Sequence, residues 1–200
     1  MIRLYDFHLS GNAHKARNLL SLLGVEHERV TVDLTAGEQR TDEFLELNPF
    51  AQVPVLVDGD VVVRDSSAVL VYLAAKFGGD AWLPADAEST ARVQEWLATT
   101  QTAIADGPGL ARLITLFGVE GDLDAARERA HAVLARIDAH LGRTDFLVGN
   151  APTVADIAAY SYIALAPDGG VELDAYANVR RWIAALEALP KFEPAPVQQN

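Results

Sequence analysis

The chain predicts a small α/β domain followed by a larger all-α domain. Three observations predict it. Short apolar, mostly Val-rich runs alternate with helical stripes over about the first eighty residues. A Gly/Pro-containing stretch, Gly78 to Asp86, interrupts that pattern. Beyond it the apolar spacing is helical throughout. Residues 1–79 are therefore read as the α/β domain, 80–86 as a linker and 87–200 as a helical-bundle domain.

The elements follow in order. Ile2 to Phe7 is short and apolar-rich, a strand. Ala16, Leu19, Leu20 and Leu23 form the stripe of a helix over Ala13 to Leu23, and Gly24 is its natural stop. Val30, Val32 and Leu34 alternate with polar residues, a second strand. A βαβ unit of this length implies parallel strands with a right-handed crossover. Thr41 to Leu47 is a short helix. Val53 to Val57 and Val61 to Val63 flank Asp58-Gly59-Asp60, a hairpin signal. Asp65, Ser66 and Ser67 then cap a helix through Phe77. The order β-α-β-α-β-β-α is that of a thioredoxin-like domain.

In the second half, Glu88 to Phe117 is one long helix or two, with Gly107-Pro108-Gly109 as the break or kink. Leu123 to Leu141 is another, ended at Gly142. Thr153-x-x-Asp156 is a capping box heading a third helix to about Ala166. Leu173 to Leu189 contains a fourth, closed by Pro190. Trp82, Trp96 and Trp182 are read as core or interface residues.

Composition excludes several functions. The chain has 200 residues, is 50% hydrophobic and 22% charged, and so can bury a real core. A net charge of -12 argues against nucleic acid and anionic membrane as partners. With no cysteine there is no disulfide, no thiolate-held zinc and no cysteine nucleophile. The five histidines, His8, His14, His27, His131 and His140, show no metal-ligand spacing. Met1 to Asp6 lacks the apolar stretch of a signal peptide, and no apolar run approaches the ~18 residues of a membrane span. The expected location is the cytoplasm.

Two constellations carry chemistry. Ser10-Gly11-Asn12 lies where a strand hands over to a helix. A hydroxyl and the positive end of a helix favour a bound thiolate. A free thiol has a pKa of about 8.5, so only ~3% is thiolate at pH 7, and lowering it by about two units takes roughly 2.7 kcal/mol. The same residues also suit an ordinary helix cap. Tyr5 is a competing hydroxyl, but its place in the strand pattern favours packing.

The second constellation is Val53-Pro54 with Asp65-Ser66. Pro54 opening a strand admits the cis isomer, which would turn the Val53 backbone outward to pair with an extended peptide. A plain strand-opening proline is the alternative. The helix start at Asp65-Ser66 suits a ligand carboxylate at Ser66 and a ligand ammonium at Asp65, or simply a cap. Gln39 and Arg40, in the loop before the short helix, could reach the far end of such a ligand.

At these residues the chain resembles a bacterial cytosolic glutathione transferase, over essentially its whole length. Phe44-Leu45-Glu46-Leu47-Asn48-Pro49-Phe50-Ala51-Gln52-Val53-Pro54-Val55-Leu56 is close to the family pattern FLxLNPxGQVPxL, with Ala51 for the usual Gly. Asp58-Gly59-Asp60 with Asp65-Ser66 resembles DGD…ES, with Asp for Glu. Thr153 to Ile157 resembles SxADI, and Tyr176 to Trp182 resembles YPNVRRW.

The resemblance implies a thioredoxin-like glutathione domain, a helical domain, glutathione as co-substrate without a metal, a homodimer and a role in detoxification. By resemblance Ser10 hydrogen-bonds the glutathione sulfur and Asn12 assists. Val53, next to Pro54, pairs with the cysteinyl backbone. Gln39, Arg40 and Gln52 contact the glycyl end or nearby backbone, and Asp65 and Ser66 hold the γ-glutamyl end. Without a cysteine the chain does not resemble the cysteine-type classes, and Ser10-Gly11-Asn12 is not the SSC motif of the zeta isomerases. The implied reaction is conjugation of glutathione to a small electrophile. Phe7, Ile104 and Leu113 are placed, by position, on the apolar side of the cleft. Two alternatives stay open: a glutathione-dependent disulfide reductase or peroxidase, and a non-catalytic binding protein on the same scaffold.

Overall fold

A computed structural model describes residues 1–196. The helical half expected over 87–200 runs past this limit, so its last four positions lie outside the described residues.

Strand β1 (Ile2–Asp6) leads through a short loop into helix α1 (Gly11–Leu23), which ends at Gly24 in the left-handed conformation, φ 64°. Strand β2 (His27–Thr31) lies parallel to β1, with Leu4 opposite Arg29. Helix α2 (Asp42–Leu47), capped by Thr41, precedes the hairpin of β3 (Val55–Asp58) and β4 (Val61–Arg64). Both are antiparallel to their neighbours, so the sheet order is β2-β1-β3-β4. Gly59 provides the positive φ of the hairpin turn. Helix α3 (Ser66–Leu73) continues into a wider turn that reaches Gly78. This is the thioredoxin-like order.

One strand is displaced from its expected place. The alternation Val30, Val32, Leu34 predicts the second strand, yet β2 begins at His27 and ends at Thr31. Val32 still donates its N–H to Asp6 O at 2.8 Å. Asp33 then bends the chain, because its carboxylate accepts from Thr35 N–H (2.8 Å), Thr35 Oγ1 (2.6 Å) and Ala36 N–H (3.1 Å). That turn carries Leu34 and Thr35 away from the sheet.

Period-two alternation divides β1 and β3 between two cores. Ile2, Leu4 and Leu56 join Leu19, Leu20, Val69 and Leu70 of α1 and α3. Val55 and Val57 pack on the opposite side with Phe7, Val32, Phe44 and Val53.

The helical half comprises α4 (Ala87–Thr99), α5 (Leu110–Phe117), α6 (Leu123–Leu141), α7 (Val154–Ala164) and α8 (Ala177–Glu187). Between α4 and α5 the chain neither breaks nor stays α-helical. Thr100–Gly109 forms wide π-type turns that contain Pro108. Such turns relax the i→i−4 ladder that a proline cannot join. A Cβ at Gly107 would lie 2.9 Å from the Ala130 backbone, so glycine is what allows α6 to cross there.

Helix α7 is the centre of this half, buried at every residue from Val154 to Ile163. The Thr153–Asp156 capping box heads it, and Asp156 also accepts from Leu147 N–H and Trp182 Nε1–H, both at 2.9 Å. Trp182 is fully buried, whereas Trp82 and Trp96 are half-buried against the same core. Helix α1 packs against α3 and α7, which joins the two halves. Among the described residues no helix is long and apolar enough to cross a membrane.

Candidate active site

Ser10 is the N-cap of α1. Its φ/ψ of -72°/116° is extended, and its Oγ accepts the Ala13 N–H at 3.2 Å. The cap reading of this residue therefore describes its local structure. The hydroxyl proton itself has no acceptor among the described residues. Ser10 is half-buried in the wall of a cavity of about 340 Å³ between the two halves. Phe7, Leu9 and Leu34 contribute from the α/β side, and Leu113, Phe117 and Tyr162 from α5 and α7. Gly11 lies against Tyr162, where a Cβ would approach the ring to 2.8 Å. The glycine of the Ser10-Gly11-Asn12 motif thus lets α7 pack onto the start of α1.

Arg112 ties α5 to this loop. Its Nη1 donates to Leu9 O at 3.0 Å and its Nε to Asp168 at 2.9 Å. The guanidinium is 1% exposed, lies 5.8 Å from the Phe117 ring centroid, and contributes to the cavity wall. Its Nη2 has no partner among the described residues.

Asn12 is not in the cavity wall. Its Oδ1 accepts from Lys15 Nζ at 2.8 Å and Ser66 Oγ at 3.4 Å, so the amide links α1 to the start of α3. The resemblance gives Asn12 a part in assisting Ser10; here its Oδ1 is engaged by Lys15 and Ser66. Lys15 is completely buried, and burial lowers its pKa to about 7, opposed by the Asp65 charge.

The Val53-Pro54 bond is cis. Val53 is 7% exposed, and neither its N–H nor its C=O has a hydrogen-bond partner among the described residues. Asn48 organises the loop before it, donating to Gln52 O at 2.8 Å and accepting from Phe50 N–H at 3.1 Å. Within that loop Ala51 has φ 54°, a conformation that favours glycine. The usual glycine of the resembled pattern falls at this position.

Asp65 has φ 86°, a strained conformation for a residue with a Cβ. Its Oδ1 accepts from Ser67 N–H (2.9 Å) and Ala68 N–H (3.0 Å) and so caps α3. Its Oδ2 accepts from Gln101 Nε2 at 2.9 Å, and Gln101 also donates to Ser67 Oγ at 3.0 Å. Asp65 is exposed while Ser66 is buried at 2%. Sequence reasoning missed Gln101. A glutamine in a helical pattern reads as solvated, and its partner is 36 positions away.

The remaining predicted residues divide. Phe7 and Leu113 line the cavity. Ile104 does not: it is fully buried in the helical core, because the wide turns aim it inward. Gln39 is half-buried, with Nε2 3.5 Å from Leu34 O and an unpartnered Oε1 among the described residues. Arg40 and Gln52 are exposed. None of these three lines the cavity. Tyr5 packs edge-on against Phe44, 6.2 Å between centroids, and takes no part in the cavity wall.

Comparison with known proteins assigns the family. The models for the glutathione S-transferase N-terminal and C-terminal domains match residues 1–75 and 80–190. Glutathione S-transferase 3 of Zea mays is 35% identical over 205 residues, covering 96% of this chain and 91% of that protein. A solved glutathione S-transferase from Pseudomonas fluorescens superposes with a TM-score of 0.91 at 30% identity, over 96% of this chain and 98% of the other. A glutathione transferase homolog from Drosophila mojavensis, solved with bound glutathione, superposes with a TM-score of 0.86 at 27% identity, over 94% and 88%. The chain belongs to the glutathione S-transferase family, a glutathione transferase by both of its domains.

Proposed function

We propose that this transferase uses the Ser10 hydroxyl to hold the glutathione sulfur as thiolate and directs it onto a small electrophile in the cavity beside α5 and α7. One observation carries the reading. The Ser10 hydroxyl accepts from α1, has no acceptor for its own proton among the described residues, and lies in the cavity wall. Accepting the Ala13 N–H polarises the O–H outward, and the helix N-terminus adds positive potential. A hydrogen bond to a charged group contributes about 1.5–3 kcal/mol, which corresponds to a thiol pKa lowered by about one to two units. The thiol proton leaves to solvent. The sulfur pair then forms the bond to carbon while the leaving group, or the π pair of an activated alkene, takes the displaced electrons.

The rest of the tripeptide follows from this placement. The free N–H and C=O of Val53, set by Pro54, pair with the cysteinyl backbone. Ser66 and the start of α3 receive the γ-glutamyl carboxylate, and Asp65, braced by Gln101, receives its ammonium. Gln39, Arg40 and Gln52 serve the glycyl end. Phe7 and Leu113, with Phe117 and Tyr162, form the apolar wall for the second substrate. The protein acts in the cytoplasm as a homodimer. Exposed Phe50 (71%), Val61 and Val62 supply apolar surface for the second subunit.

The test is a panel of alkyl and aryl halides, activated alkenes, a mixed disulfide and a hydroperoxide, each with and without glutathione. Conjugation exceeding turnover of the disulfide and hydroperoxide supports the reading. Dominant disulfide or peroxide turnover replaces it with a reductase or peroxidase. The absence of any thermal shift with glutathione makes the chain a non-catalytic member of its family.

A further inference from the structure

Lys15 is a buried lysine without a carboxylate partner among the described residues. It is 0% exposed, and no acidic side chain lies within ion-pair distance among the described residues. Its Nζ donates to Asn12 Oδ1 at 2.8 Å and lies 5.1 Å from the centroid of the Tyr162 ring. Buried charges are paired in almost all proteins, because stripping water from an ammonium is costly. Asn12 on its own helix accepts from it, Tyr162 from α7 presents its ring to it, the Asp65 charge of the α3 start acts on it, and Ser66 of the same start meets it through Asn12. Asp65 is the one charged group that acts appreciably on it, and it is exposed at the surface with its carboxylate already accepting from Ser67, Ala68 and Gln101. Tyr162 is itself held neutral by burial.

The Asn12 oxygen is shared between Lys15 and Ser66, the residue that heads α3. An anion received at Ser66 therefore arrives one amide away from a buried lysine that has no ion-pair partner among the described residues. We propose that Lys15 is a positioning residue for glutathione: acting through Asn12 and Ser66, it supplies the buried counter-charge for the γ-glutamyl carboxylate, so that binding draws a proton from solvent onto Lys15. This rests on the proposed placement of the glutamyl end at Ser66.

The physical sequence is short. Burial leaves the free site with a lysine pKa of about 7, so at pH 8 most molecules hold a neutral amine. A carboxylate at Ser66 favours the ammonium and raises that value, while the ligand ammonium at the exposed Asp65 opposes this across solvent. The proton comes from the buffer, and no bond other than N–H is formed. Glutathione affinity then depends on pH through a group that touches neither the sulfur nor the electrophile.

The experiment is titration calorimetry with S-methylglutathione, which lacks a thiol proton to release, in buffers of differing ionisation enthalpy. At pH 8 the expected uptake is about half to one proton per ligand, vanishing near pH 6, with affinity weakening by up to about tenfold between pH 6 and pH 8. In Lys15→Met the uptake disappears and the affinity becomes flat across that range. A merely structural lysine would alter affinity without altering the proton count. Zero uptake by the native protein, or undiminished uptake in Lys15→Met, overturns the proposal. If Lys15→Met does not fold, the native profile decides: uptake that does not begin near pH 7 rejects Lys15 as the acceptor. Failure of S-methylglutathione to bind at all overturns the placement of glutathione itself, a separate result.

Discussion

Replacing Ser10 with alanine removes one hydroxyl that serves two masters, and the two losses are separable. As the N-cap of α1 it accepts the Ala13 N–H at 3.2 Å, and losing a serine cap costs about 1 kcal/mol. For a domain of this size that lowers Tm by about 2–4 °C, well short of unfolding at the assay temperature. As the sulfur's donor its loss raises the bound thiol pKa by about one to two units. A wild-type value near 6.5 then becomes about 7.5–8.5, so at pH 6.5 the thiolate fraction falls from about one half to between roughly 1% and 10%. The expected result is a 5- to 50-fold fall in kcat with a model electrophile at pH 6.5, shrinking to no more than about 1.3-fold at pH 9, with glutathione KM nearly unchanged. Stopped-flow absorbance of the bound thiolate measures the pKa directly, and Ser10→Thr, which keeps a hydroxyl, should recover most of the rate. An unchanged kcat at pH 6.5 refutes the reasoning. So does a deficit of the same size at pH 9, because the hydroxyl would then not be acting on ionisation.

Three further outcomes follow from the same geometry. Lys15→Met should be more stable than wild type at pH 6–7 and should flatten the pH dependence of stability. The native lysine titrates near 7 but near 10.5 when unfolded, so wild-type stability rises between those values by up to about 1.4 kcal/mol per pH unit and is level below them; urea melts at pH 6, 8 and 9.5 check the slope. Asp156→Ala strands the Leu147, Thr153 and Trp182 donors in a dry core, a loss of at least about 4 kcal/mol out of a total of about 5–15, so little folded protein should accumulate; a Tm within a few degrees of wild type contradicts this. Ala51→Gly relieves a residue held at φ 54° and should stabilise by about 0.5–1 kcal/mol in chemical denaturation, and a destabilised variant would show that the loop does not strain Ala51.

What could be read from the residues in order was local chemistry. Gly24 and Gly142 mark helix ends, Thr153 and Asp156 a capping box, and Gly59 a hairpin, because each depends on neighbours within about four positions. The same locality made Ser10, Val53-Pro54 and Asp65-Ser66 visible as candidates, and it led to the second strand being set too late, since the Asp33 turn competes with the Val30–Leu34 alternation. Tertiary structure alone decided the rest. Whether Asn12 serves Ser10 or Ser66 depends on how α1 lies against α3. Ile104 is lost to the core and Tyr162 is gained for the cavity by the hand of the wide turns and the missing Cβ of Gly11. Gln101 and Arg112 reach partners 36 and 103 positions away. Caps and turns are settled by short-range backbone geometry, whereas the burial of a charge and the walls of a cleft are settled by which distant surfaces the packing of whole helices brings together.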